Sequence, residues 1–133
     1  MDSANFSKLK PGRILFTTIS DMNGVGAKDR PVLVLTTPTG SGDDDTFRIV
    51  GGSTKPPATG NERLSMKVIG LNQPNGHPRT GLKSDTWFYA MWGRTVKLGN
   101  VRRVAKGIGM PPADFINFMA VLNSLKKQTW PQE

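Results

Sequence analysis

The stretch PVLVLTTP, residues 31–38, constrains the fold more than any other part of the chain. It is apolar at consecutive positions, so both faces of the strand it forms must be covered, which places that strand centrally in a sheet. Pro31 stands at its head. Proline cannot donate to a sheet ladder, so it belongs at a strand's first residue or at an edge. The other apolar runs are equally short. GRILFTTI (12–19), TFRIVGGST (46–54), LSMKVIG (64–70) and DTWFYAMW (85–92) read as strands rich in β-branched and aromatic residues. RTVKLG and RRVAKGIG read as further short strands or turns. Between them lie SDMNGVGAKD (20–29), read as a long mobile loop, the turn TGSGDDD (39–45), and the loops KPPATGNER (55–63) and LNQPNGHPRTGLKS (71–84). The 15 glycines and 10 prolines suit a chain with many turns.

The period changes only near the end. In PPADFINFMAVLNSLKK (111–127) the residues Phe115, Phe118, Met119, Leu122 and Leu125 follow helical spacing. Two prolines suit a helix's first turn. Asp114 near its start and Lys126 and Lys127 at its end suit the helix dipole. The expectation is a mainly β chain: five to seven short strands in a strongly bent sheet or barrel, with one C-terminal helix packed on it. With 133 residues and no internal repeat, a single domain is expected over 11–127. Residues 1–10 read as a flexible lead-in and 128–133 as a tail.

Lysine and arginine number 18 against 10 aspartates and glutamates, a net charge of +8. Such a field favours a polyanionic partner: nucleic acid, or an acidic protein competing for the same face. There is no cysteine, which excludes disulfides and thiolate metal sites and fits a reducing compartment. No segment approaches the roughly 20 apolar residues that span a membrane, and the first ten residues carry no signal-peptide core. No P-loop, GxGxxG, HExxH or nucleophile elbow occurs, so nucleotide phosphoryl transfer and zinc hydrolysis are poorly supported, and no cofactor or metal is expected. Asp43–Asp45 reads as a solvated hairpin tip.

Several residues carry chemistry. Arg30 precedes Pro31, which pushes it into extended geometry. A restricted guanidinium beside a mobile loop suits a phosphate, although an arginine flanking a strand is also an ordinary surface residue. Ser53 and Thr54 follow Gly51 and Gly52, where a ligand or a backbone can approach closely. Their hydroxyls suit a phosphate or ribose, or else bond their own turn. His77, the single histidine, lies in PNGHPR: a general acid or base, or a surface loop residue. Trp87, Phe88, Tyr89 and Trp92 share one strand, where some must pack the core and others are free to stack on bases or a partner.

Taken in order, KPGRILFTTI, KDRPVLVLTT, RIVGGST, GLKSDTWFYAMWGRTV and AKGIGMPPADFINFMAVL resemble the MazF/PemK family of toxin endoribonucleases over about residues 10–125. The resemblance implies an SH3-like barrel with a C-terminal helix, usually a homodimer. It implies metal-independent cleavage of single-stranded RNA at a short preferred sequence in the prokaryotic cytoplasm, and neutralisation by an acidic antitoxin. In such cleavage the ribose 2′-OH attacks the adjacent phosphate, leaving a 2′,3′-cyclic phosphate and a 5′-OH. Arg30 matches the family's catalytic arginine, and Ser53 its catalytic hydroxyl, with Thr54 the alternative if the register differs by one. Lys28, Lys55, His77, Arg79 and Lys83 are the expected substrate-binding residues of a basic groove built from the first loop, Arg30, Ser53 and part of the 71–84 loop.

Two departures stand out. The family's first loop often carries Gly-Ser-Glu-Gln before Arg-Pro, whereas NGVGAKD stands here. The acidic residue that some members place in the late strand is Met91. Either catalysis leans on Arg30 and a hydroxyl, or the loop supplies another group such as Asp21 or Asp29, or the chain does not cut RNA. Two other functions fit the same barrel: a gyrase-poisoning toxin of the CcdB type, with Trp130 in its C-terminal segment as an anchor, and a non-catalytic binding module.

Overall fold

The computed structural model describes residues 6–105, 112–125 and 128–133. Six strands are laid down as β1 (Ile14–Ile19), β2 (Lys28–Val34), β3 (Thr46–Ser53), β4 (Ser65–Val68), β5 (Thr86–Lys97) and β6 (Val101–Val104), followed by helix α1 (Pro112–Ser124). They form one antiparallel sheet in the order β4-β5-β3-β2-β1-β6. The result is the mainly β, barrel-like fold with a C-terminal helix that the sequence predicts.

Alternation along the strands builds two cores. Ile14, Leu33, Val50, Phe88 and Ala90 point to a face covered by Phe118 and Leu122 of α1, with Phe115 and Met119 packed at its margin. Leu15, Val32, Val34, Phe47, Ile49 and Trp92 fill the opposite face. β2 is therefore apolar throughout its second half because it is covered on both sides.

The start of β2 differs from the sequence reading. Lys28, Asp29 and Arg30 are already paired with Ile19, Thr18 and Thr17, so the first loop ends at residue 27 and Pro31 lies inside the strand. The proline is tolerated for a geometric reason. Val34 N–H donates to Arg13 O on the β1 side. Backbone N–H groups alternate in direction along a strand, so the nitrogen of Pro31 faces β3, whose pairing with β2 begins only at Val32. No ladder bond is lost.

β5 also departs from expectation. DTWFYAMW and RTVKLG form one twelve-residue strand. Its pairing with β3 jumps from Gly52↔Phe88 to Val50↔Gly93, so residues 89–92 all stand against Gly51. This large bulge breaks the two-residue alternation. Tyr89 and Trp92, three apart in sequence, both pack on the second core.

The ends of the described chain are also packed. Residues 1–10 read as a flexible lead-in, yet Leu9 is buried in the second core with Phe6 beside it, because the apolar pair in FSKL has a face to cover. Residues 128–133 do not trail away. β4 pairs with β5 only over residues 86–89, and beyond that stretch the tail covers the open edge. Thr95 N–H donates to Pro131 O and Glu133 N–H to Thr95 O. Pro111, Lys126 and Lys127, counted in the helix from sequence, lie outside the described residues.

The bulge depends on Gly51. A Cβ there would fall 2.3 Å from Cδ2 of Trp92. Gly51→Ala is expected to destabilise the protein by about 1–3 kcal/mol, the usual cost of overpacking, read as a lower midpoint in urea unfolding.

Candidate active site

Arg30 shares the face of Val32 and Val34, and its guanidinium lies over the indole of Trp92, 5.4 Å from the ring centroid. Two backbone carbonyls fix it. Nε donates to Ile19 O at 3.1 Å, and Nη2 to Gly26 O at 3.0 Å. Nη1 has no acceptor among the described residues. The side chain is half-buried. The outcome is an arginine whose rotamer is set before any ligand arrives, with one N–H corner still available.

Ser53 ends β3 on the same face as Ile49 and Gly51. Its Oγ accepts from Lys55 N–H at 3.1 Å, closing a tight turn with Thr54 exposed at its tip. The Tyr89 hydroxyl donates to Lys55 O from beneath. Burial pushes the Tyr89 hydroxyl above its ordinary value of 10.0, so it remains a donor at neutral pH. From sequence, Gly51 and Gly52 offer room for a ligand or a backbone. They are room for aromatic rings: a Cβ on Gly52 would meet Phe88 at 2.7 Å, as one on Gly51 would meet Trp92. If the β2–β3 register that pairs Val32 with Gly51 continued two residues further, Ser53 would stand opposite Arg30. Trp92 lies beneath Arg30 and Tyr89 holds the Ser53–Lys55 turn, and both rings belong to the second core.

The first loop is tied down at its start. Trp92 Nε1 donates to Ser20 O at 3.2 Å, and Arg94 Nη2 to Asp21 O at 2.7 Å. The Asp21 carboxylate accepts from the N–H groups of Asn23 and Val25. The Val25 hydrogen bond is the largest cause holding the Asp21 carboxyl below its ordinary 3.8; the Asn23 bond and the charge of Arg30 add to it, against some desolvation. Such an acid orders the loop and is a weak proton acceptor. Asp29, the other acidic candidate, takes the Thr18 hydroxyl at 2.7 Å and faces away from Arg30.

Two residues were missed from sequence. Arg94 is only 7% exposed, and its Nε donates to Glu133 Oε1 at 2.9 Å. Glu133 Oε1 also accepts from Ser20 N–H and Oγ–H. Arg94 lies two residues after Trp92 in β5, and nothing local marks it or Glu133, which is far away in sequence. Beside this group opens a cleft of about 710 Å³, lined by the first loop, Met91, Arg94 and the tail.

The 71–84 loop is anchored by Leu82, which is buried in the helix-covered core, and Gly81 lies against Phe16 and Arg103. His77 caps a short turn, its Nδ1 accepting from Arg79 N–H at 3.1 Å. His77, Arg79 and Lys83 are exposed on this loop.

The sign of the Asp21 shift gives a pH test. Its folded pKa lies below 3.8, so the carboxylate stabilises the loop above that pH, and the stabilisation is lost as pH falls through the folded value. The Asp21 carboxyl carbon, followed by NMR, is expected to titrate below 3.8, and Asp21→Asn is expected to speed hydrogen exchange at Val25 already at neutral pH.

No known family profile matches the chain, and no curated protein matches it in sequence. Among solved structures it is similar to the Mycobacterium tuberculosis toxin MazF-mt6, with a TM-score of 0.51 and 12% identity, over 87% of this chain and 99% of that one. The fold is therefore MazF-like.

Proposed function

We propose that this chain is the toxin of a toxin–antitoxin pair, an endoribonuclease that cleaves single-stranded RNA in the prokaryotic cytoplasm without a metal ion. The observation that carries the reading is the preset guanidinium of Arg30. Two carbonyls and the Trp92 ring hold it, and its Nη1 corner has no acceptor among the described residues. The MazF-like fold and the charge of +8 support it. In the reaction the 2′-oxygen bonds to phosphorus, and the bond from phosphorus to the 5′-oxygen breaks. The 2′ proton is lost, and the leaving oxygen gains one. Negative charge grows on the non-bridging oxygens, where Arg30 meets it without having to reorganise. The Ser53 oxygen already accepts from Lys55 N–H, which leaves its own proton to donate to a phosphate oxygen. Thr54 and Lys55 at the tip of that turn and exposed Lys28 hold the strand of RNA.

The protein acts as a homodimer, and an acidic, partly disordered antitoxin segment folds onto the basic face. The gyrase-directed alternative relied on Trp130 as an anchor. That side chain is half-buried, with the Arg48 guanidinium 5.0 Å from its ring centroid, which favours the ribonuclease reading over this one.

The purified protein, incubated with a long single-stranded RNA in EDTA, is expected to cut at a recurring short sequence and leave 5′-OH ends. Arg30→Ala is expected to slow cleavage about 10²–10³-fold, the usual loss when one preorganised donor is removed. Failure to cut several diverse RNAs would overturn the reading in favour of a binding module. The antitoxin complex is expected to weaken as salt rises.

A further inference from the structure

Three donors meet at a single oxygen beside the first loop. Ser20 N–H (3.2 Å), Ser20 Oγ–H (2.6 Å) and Arg94 Nε–H (2.9 Å) all point at Oε1 of Glu133. The cradle does not need Glu133 to hold its shape. Arg94 is fixed by Nη1 to Gly93 O at 2.8 Å and by Nη2 to Asp21 O at 2.7 Å. Ser20 is fixed through its carbonyl by Trp92 Nε1. A backbone amide, a hydroxyl and a buried guanidinium converging on one anionic oxygen form a donor set suited to a phosphate oxygen as well as to a carboxylate.

The tail that carries Glu133 is anchored through Trp130, packed on the helix-covered core, and through hydrogen bonds that, among the described residues, its main chain makes to the sheet at Thr95, while Thr129, Pro131 and Gln132 are exposed. The cleft of about 710 Å³ runs from this cradle along Ala27 and Gly26. Gly26 is the residue whose carbonyl holds Nη2 of Arg30. The anion cradle and the candidate catalytic arginine therefore flank the same short loop segment.

We propose that the Ser20–Arg94 cradle is a phosphate subsite, and that Glu133 occupies it in the resting chain as an internal stand-in for phosphate. A phosphate of the bound nucleic acid takes the cradle when the end of the tail lifts, so the tail moderates binding by competition. The identity of the ligand as RNA rests on the ribonuclease reading; the existence of the anion site does not.

The test uses the full chain and two probes, inorganic phosphate and a short single-stranded oligonucleotide with a 2′-deoxy scissile position. Glu133→Ala empties the cradle, and Asp44→Ala removes the same charge at an exposed hairpin tip. In Glu133→Ala, phosphate is expected to shift the Ser20 amide resonance at least about tenfold lower in concentration than in the unaltered protein. The oligonucleotide is expected to bind about tenfold more tightly, with a log–log salt slope steeper by about 0.7 for the added contact. Asp44→Ala is expected to leave the slope unchanged, and adding Ser20→Ala to Glu133→Ala is expected to reverse much of the gain. If Glu133→Ala does not fold, Glu133→Gln keeps the shape and removes the charge, with the same direction expected.

A Ser20 amide that ignores phosphate in every variant, or a Glu133→Ala gain no larger than that of Asp44→Ala, overturns the proposal and leaves a structural brace. A phosphate response in a protein that cuts no RNA keeps the anion site and removes the ribonuclease reading. Arg30-dependent cutting with no Glu133 effect does the reverse.

Discussion

The indole of Trp92 lies against Gly51, so close that a methyl group on Gly51 would have no room. Most of what makes this barrel a candidate enzyme depends on that contact. It sets the bulge in which residues 89–92 of β5 stand against one residue of β3. The bulge puts Tyr89 and Trp92 on one face. Tyr89 then supports the turn after Ser53, and Trp92 supports Arg30 from below and the first loop through Ser20. A regular strand would have sent the two aromatics to opposite faces, and the supports of Arg30 and of the Ser53 turn would have had no common core.

Electrostatics shape the site through fixed geometry more than through titration. Arg30 and Arg94 are both held by backbone carbonyls, and both hold the first loop in return. Such bonds keep a guanidinium oriented without neutralising it. The acids nearby have structural partners: Asp21 within its own loop, Asp29 with Thr18, Glu133 with Ser20 and Arg94. The acid missing from the sequence at Met91, which is 57% exposed, is thus not replaced in place. A carboxylate reaches the neighbourhood from the other end of the chain.

Much of the fold was legible because its signals are local. The doubly apolar run in β2 forecast a central strand, and the helical spacing of Phe115, Phe118 and Leu122 forecast α1 and its buried face. Arg30 and Ser53 were legible as a pair only through resemblance. What failed was non-local. Where β3 stops pairing with β2 decides that Pro31 can lie inside a strand. The fit of one ring on one glycine decides that β5 is continuous and bulged. Glu133 reaches Ser20 across 113 residues of chain, a separation no local pattern can report.

The most direct test of the account is a crystal structure with a single-stranded RNA whose scissile 2′-hydroxyl is replaced by hydrogen. A phosphate within hydrogen-bonding distance, about 3 Å, of Arg30 Nη1 and of Ser53 Oγ, with the Arg30 side chain unmoved over Trp92, is the result predicted. RNA bound with Arg30 still facing only its two carbonyls and no phosphate near would contradict it.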